Sequence, residues 1–79
     1  MNGEIWKEVR GIAADLFEVD PQALNAASSP DQVEKWDSIQ HLNLVLALEG
    51  KYGIAFDPEE MDQMKNLGEI ASLVGTKLS

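Results

Sequence analysis

Asp37-Ser38-Ile39-Gln40-His41-Leu42-Asn43-Leu44-Val45-Leu46-Ala47-Leu48-Glu49 is the stretch that decides the fold. Asp37 is a preferred helix N-cap. Gln40, three residues later, completes the pattern in which both side chains satisfy orphan backbone donors, so a helix opens with Ser38 in its first position. At about 100° per residue, Leu44, Leu48, Tyr52, Val45 and Leu42 share one continuous arc, the face of a core, and Ile39 and Leu46 form a pair displaced to its edge. That pair reads either as part of a wide buried face or as an exposed apolar contact beside Ser38. Ser38 therefore offers a single hydroxyl at the mouth of an apolar helix. Unpartnered N–H groups and the positive end of the helix dipole attract anionic oxygens there, so a phosphodiester would be well held.

Upstream, Ile5, Val9, Ile12, Ala13, Leu16 and Phe17 recur at spacings of three and four and predict an amphipathic helix from about Gly3 to Glu18. Val19-Asp20-Pro21 breaks it, with at most a single turn over Pro21 to Leu24. Ala26 to Asp31, rich in Ala, Ser and Pro, reads as an irregular loop across the top of a bundle, pinned by Leu24 and Val33. Downstream, Gly50 and Gly53 end the central helix near Lys51-Tyr52, and Ile54-Ala55-Phe56 continues as an extended connection. Asp57, Pro58 and Glu60 supply the N-cap, first position and capping box of a short helix whose apolar face offers Met61 and Met64. Asn66 with Glu69 opens a last helix carrying Leu67, Ile70, Ala71, Val74 and Leu78. The expected architecture is all-α: a small four-helix bundle with a long loop after the first helix and a short third helix. Cleft-lining methionines of this flexible kind tolerate altered packing, although plain core methionines are the commoner case.

A chain of 79 residues permits one domain, residues 1–79, and one small core, and 44% hydrophobic content argues against intrinsic disorder. Six Lys and Arg against fourteen Asp and Glu give a net charge of −8, which repels nucleic acid and anionic membrane surfaces and favours partners with basic patches. No apolar stretch approaches the roughly 20 residues of a membrane span. Nor does a charged-then-apolar segment suggest export, so no membrane insertion and a cytoplasmic location are expected. The chain has no cysteine, which removes disulfides and thiolate metal sites.

Asp37, Ser38 and His41 have the residue types of a hydrolase triad but not its geometry. A triad needs the base between nucleophile and orienter, whereas Asp37 and His41 stand one helical turn apart. An exposed His41 paired with Asp37 is expected instead, and no catalytic residue is assigned. With one histidine and no cysteine pair, no metal site is assigned either. Asp57, Glu59, Glu60 and Asp62 lack the alternating ligands and central glycine of a calcium loop; they read as acids at a helix N-terminus.

Trp36-Asp37-Ser38-Ile39-x-x-Leu42-x-Leu44-Val45-Leu46-Ala47-Leu48-Glu49 resembles the modification site and second helix of acyl carrier proteins, and the likeness continues through Phe56-Asp57-Pro58-Glu59-Glu60 and the closing amphipathic segment. It thus covers nearly the whole chain. The resemblance implies a shuttle and not an enzyme, with 4'-phosphopantetheine attached covalently to Ser38 by a phosphopantetheinyl transferase. Acyl groups would ride on the arm as thioesters. It further implies that Asp37 helps the transferase hold magnesium, that Ile39 and Leu46 contact acyl-loading and acyl-transfer enzymes, and that Met61 and Met64 wall an acyl cleft. A monomer is expected.

Departures from the common pattern bear on the pathway. Lys35-Trp36 stands where fatty-acid-synthesis carriers usually have a small pair. Gln40 and Asn43 replace acidic positions, His41 adds a potential positive charge, and Gly50-Lys51 replaces an acidic helix end. The wording resembles specialised, stand-alone carriers of fatty acid, polyketide or other biosynthesis. Aminoacyl or peptidyl carriers, and an unmodified helical adaptor docking through Ile39, Leu46 and Trp36, are the alternatives.

Overall fold

The computed structural model describes residues 3–78. Four helices follow one another: α1 (Gly3–Phe17), α2 (Ser38–Tyr52), α3 (Pro58–Asp62) and α4 (Leu67–Leu78), with a short 3₁₀ turn at Pro21–Ala23. No strand occurs among the described residues, so the expected all-α bundle with a long first loop and short third helix is what the chain forms. The outermost ends of the single domain expected over 1–79 lie outside the described residues.

Helix α1 is the hub, packing against both α2 and α4. Its stripe of Val9, Ala13, Ala14 and Phe17 meets Leu44, Val45 and Leu48 of α2 and Leu67, Ile70, Ala71 and Val74 of α4 in one core. Glu18, in the left-handed region at φ 56°, turns the chain out of α1, and the Val19 N–H returns to the Ala14 carbonyl. Lys35 forms an ion pair with Glu18 across the loop. At the other end, Tyr52 donates its hydroxyl to Glu8, tying α2 to α1; burial and that carboxylate push the tyrosine pKa up to about 12.

Helix α2 runs through Gly50 and stops at Gly53, whose left-handed backbone (φ 65°) closes the helix with its N–H on the Glu49 carbonyl. The Glu49 carboxylate then accepts the Phe56 N–H at 2.8 Å and fixes the connection to α3. Asp57 and Pro58 start α3, and the Glu60 carboxylate accepts the Asp57 N–H at 2.8 Å. Lys77 of α4 reaches the same carboxylate at 2.8 Å, and together these donors hold the Glu60 pKa below the usual carboxylate value. The expected capping by Asn66 is present, its side chain accepting the Glu69 N–H at 2.8 Å.

The long loop is anchored where α4 begins. Leu67 N–H bonds the Ser28 carbonyl at 3.0 Å and Gly68 N–H bonds the Ala26 carbonyl at 2.9 Å. Leu24 is buried and Val33 half-buried, as anchors should be. A Cβ on Gly68 would lie 3.0 Å from both the Ala26 carbonyl oxygen and its Cβ. Backbone cannot retreat as a flexible side chain can. Gly68→Ala is therefore expected to destabilise the protein by about 1–2 kcal/mol, the overpacking cost exceeding the roughly 1 kcal/mol gained in helix propensity. Thermal unfolding of the two proteins checks this.

Candidate functional site

The site is built where the long loop enters α2. Trp36 comes first and is buried, at 2% exposure, with its ring stacked on Phe17 of α1 at 5.1 Å between centroids and 25° between planes. This anchors the residue just before the helix cap and excludes Trp36 from any surface docking patch. Asp37 is the N-cap, its carboxylate accepting the Gln40 N–H at 2.8 Å. Ser38, exposed, is the first helical residue, with no acidic residue in the first turn of α2.

The expected reciprocal capping by Gln40 does not form. Its side chain donates to the Leu16 carbonyl at 2.8 Å instead. That carbonyl belongs to the last turn of α1, where carbonyls lack intrahelical partners, so the amide is better used in joining two helices than in returning to Asp37. Asn43 in turn donates to the Gln40 side-chain oxygen at 3.0 Å. Both amides at positions that are acidic in the common pattern thus belong to a bond network at the α1–α2 junction.

His41 also differs from expectation. It is half-buried and its Nδ1 accepts the Trp36 indole N–H at 3.0 Å, in place of an exposed pairing with Asp37. The buried indole N–H needs an acceptor, and His41 supplies it. Desolvation lowers its pKa, so His41 does not add the positive charge that its position suggested. The sequence held a signal for this: His41 stands three and four residues before Leu44 and Val45, on the buried stripe of α2. A hydrolase arrangement is absent, since Asp37 and His41 are each committed to other partners.

The linkage sign follows from that depressed pKa. Between the lowered folded value and the ordinary 6.5, the unfolded chain binds a proton that folded His41 does not. Stability from this group is therefore complete above pH 6.5 and declines as pH falls toward the folded value. Melting temperatures across this window should fall more steeply for the wild type than for His41→Asn.

The core arc of α2 is more exposed than its pattern suggested. Leu44, Val45 and Leu48 are buried and Tyr52 is half-buried, but Leu42 is 52% exposed. Among the described residues α1 is the one helix packed extensively against α2, so the buried stripe is narrow, and Leu42 falls beyond it. Ile39 at 73% and Leu46 at 56% exposure complete an apolar stripe at spacings of three and four, which resolves the displaced pair as surface. The only formal charges on α2, Glu49 and Lys51, cancel, and each has a partner elsewhere: Phe56 N–H for Glu49 and Glu8 for Lys51 at 3.9 Å.

Met64 lies beyond the end of α3 and not on it, because that helix closes at Asp62; its N–H turns back to the Met61 carbonyl. It is buried, and Met61 is half-buried. An open groove of about 450 Å³ is lined by Pro30, Trp36, Asp37, Ser38, His41 and Met64. The serine hydroxyl and one of the two methionines therefore share a cavity. Among the described residues, no cluster of His, Asp and Glu could hold a metal ion, and no helix is long and apolar enough to cross a membrane.

A family model described as the phosphopantetheine attachment site matches residues 7–74, most of the chain and all of this groove. The chain belongs to the acyl carrier protein family. An acyl carrier protein of Thermosynechococcus vestitus is 28% identical over 76 residues, covering 96% of this chain and 94% of the relative. One from Petrotoga mobilis is 27% identical over 77 residues, covering 96% and 89%. The solution NMR structure of holo acyl carrier protein from Geobacter metallireducens is similar in fold, with a TM-score of 0.83 and 34% identity, covering 92% of this chain and 84% of that one. Acyl carrier proteins are carriers and not catalysts, and the cofactor of this one is 4'-phosphopantetheine. Its residues fit the group. The Ser38 hydroxyl is exposed, and the N–H groups of Ser38 and Ile39 meet no acceptor among the described residues. The carboxylate that lines the groove, Asp37, accepts the Gln40 N–H.

Proposed function

We propose that this acyl carrier protein is loaded on Ser38 and serves a specialised biosynthetic pathway as a stand-alone carrier. The observation that carries the assignment is the exposed hydroxyl at the first position of an Asp37-capped helix, inside the matched residues 7–74. A phosphopantetheinyl transferase joins the Ser38 oxygen to the pantetheine-side phosphorus of coenzyme A: the new O–P bond forms as the pyrophosphate P–O bond breaks, adenosine 3',5'-bisphosphate leaves, and the serine gives up its proton. When attached, the arm supplies the terminal thiol that this cysteine-free chain lacks, so that acyl groups are carried as thioesters. The α2 N-terminus favours the phosphodiester by its free N–H groups and dipole. In this reading Asp37, which lines the same groove, assists the transferase's magnesium.

Ile39 and Leu46, with Leu42 between them, form the apolar contact for transferase and acyl-handling enzymes. Met64 beside Ser38, with Met61, contributes the wall along which an acyl chain packs. The pathway reading rests on α2 itself: its neutral surface, with Gln40 and Asn43 engaged at the α1–α2 junction, offers little to enzymes that read an acidic second helix. Transfer by malonyl- or long-chain-acyl enzymes of bulk fatty acid synthesis should accordingly be slower than to a housekeeping carrier. Equal rates would refute the specialised assignment. Intact mass before and after incubation with transferase, magnesium and coenzyme A tests the carrier function itself.

Long-range attraction of partners falls to the rest of the surface, where the net charge of −8 resides. Raising salt from about 0.1 M to about 1 M shortens the Debye length from about 10 Å to about 3 Å. Association with the transferase should slow about tenfold over that range while dissociation changes little, as stopped-flow measurements would show. An association rate indifferent to salt would remove the electrostatic part of the account.

A further inference from the structure

In the groove beside Ser38, His41 carries a polar atom with no assigned task. An indole N–H can only donate, so the 3.0 Å bond from Trp36 makes His41 Nδ1 the acceptor and leaves the proton of the neutral ring on Nε2. The ring is held in this orientation by stacking on Trp36, at 6.0 Å between centroids and 18° between planes, and Trp36 is itself stacked on Phe17. Nε2 has no acceptor among the described residues, yet it is not a buried orphan, so it meets solvent. His41 and Ser38 line the same groove from positions three residues apart on α2. A fixed, neutral donor thus opens beside the hydroxyl from which the arm departs.

We propose that His41 is a positioning residue for the arm, its Nε2–H donating to an oxygen acceptor in the segment nearest Ser38. This rests on attachment at Ser38. The acceptor is a phosphodiester oxygen or the first hydroxyl or carbonyl oxygen beyond it. Burial favours the neutral ring, so the contact is one hydrogen bond from an uncharged donor and not an ion pair. Such a bond orients the arm along the groove toward Met64 yet releases readily when a partner withdraws it. Asp37 is the other titratable group lining the groove, and its carboxylate is held by the Gln40 N–H.

The test uses NMR of the apo and holo forms at about pH 8, above the ordinary histidine range. Wild type, His41→Asn and His41→Gln are each loaded by the transferase, with loading confirmed by intact mass. Asparagine keeps an oxygen for the Trp36 N–H but removes the donor at Nε2; glutamine restores a donor with similar reach. In the wild type, exchange of the Nε2 proton with water should slow several-fold on loading, and nuclear Overhauser contacts should link the His41 ring to the arm. The arm resonances nearest the serine should move in His41→Asn and return toward wild type in His41→Gln. A change in the phosphorus resonance identifies the phosphodiester as acceptor; a change confined to pantetheine carbons and protons identifies the oxygen beyond it. Equal exchange in apo and holo wild type, without ring-to-arm contacts, overturns the inference and needs no variant to fold. A folded wild type that gains no arm overturns the attachment reading, and this one with it, so the two failures are distinguishable.

Discussion

Ser38→Ala is expected to abolish modification completely, while the wild type gains the mass of one phosphopantetheine and no more. The reason is positional. Three other hydroxyls lack the setting: Ser28 is buried with its oxygen accepting the Asn25 N–H, Thr76 donates to the Ser72 carbonyl within α4, and Tyr52 donates to Glu8. Ser38 alone among them opens a 15-residue helix with its side chain exposed. The substitution should leave the fold intact, because Asp37 and not Ser38 caps the helix. Stability should change by no more than about 0.5 kcal/mol, as for an exposed site away from packing features. Intact mass and circular dichroism on the same samples separate loss of the acceptor from loss of structure. A folded Ser38→Ala protein that still gains the arm would relocate the attachment site.

Trp36→Ala should have the largest effect on stability, about 3–5 kcal/mol, the range for emptying a large buried aromatic site. A 79-residue protein at roughly 0.05–0.15 kcal/mol per residue has about 4–12 kcal/mol in all, so this loss takes a large share of it. The indole fills space against Phe17 and occupies His41 Nδ1. Trp36→Phe separates these roles: it keeps the ring stack and removes the N–H donor, which should cost about 1 kcal/mol. Denaturant unfolding of the three proteins would measure both contributions. If Trp36→Ala unfolds at nearly the wild-type midpoint, the tryptophan is not the anchor of the loop into α2.

The experiments meet at the α2 entrance, where cap, serine and anchor follow one another as Trp36-Asp37-Ser38. A carrier that hands its cargo to several enzymes needs a fixed point of attachment and a surface that partners can leave. The buried tryptophan fixes the former. In the proposed reading the exposed Ile39, Leu42 and Leu46 would present the latter without committing charge.

What the sequence determined by itself was the local physics. Caps at Asp37 and Asn66, the stop at Gly53, the Pro58 start, the stripe of α1 and that of α4 as far as Val74 each follow from interactions within a few residues, and all are present. So is the serine at a helix mouth. Leu78, expected to continue the α4 stripe, is 45% exposed in the last turn, beyond the core. What only tertiary structure decided were the side chains whose best partner lies on another element. Gln40 left the expected cap for the Leu16 carbonyl, and His41 turned from Asp37 to the buried indole. Leu42 stayed in solvent because α1, the helix facing α2, covers a narrower stripe than the hydrophobic pattern offers. Periodicity reports which residues share a face. The neighbour across the interface determines how much of that face is buried and which polar group finds its partner there.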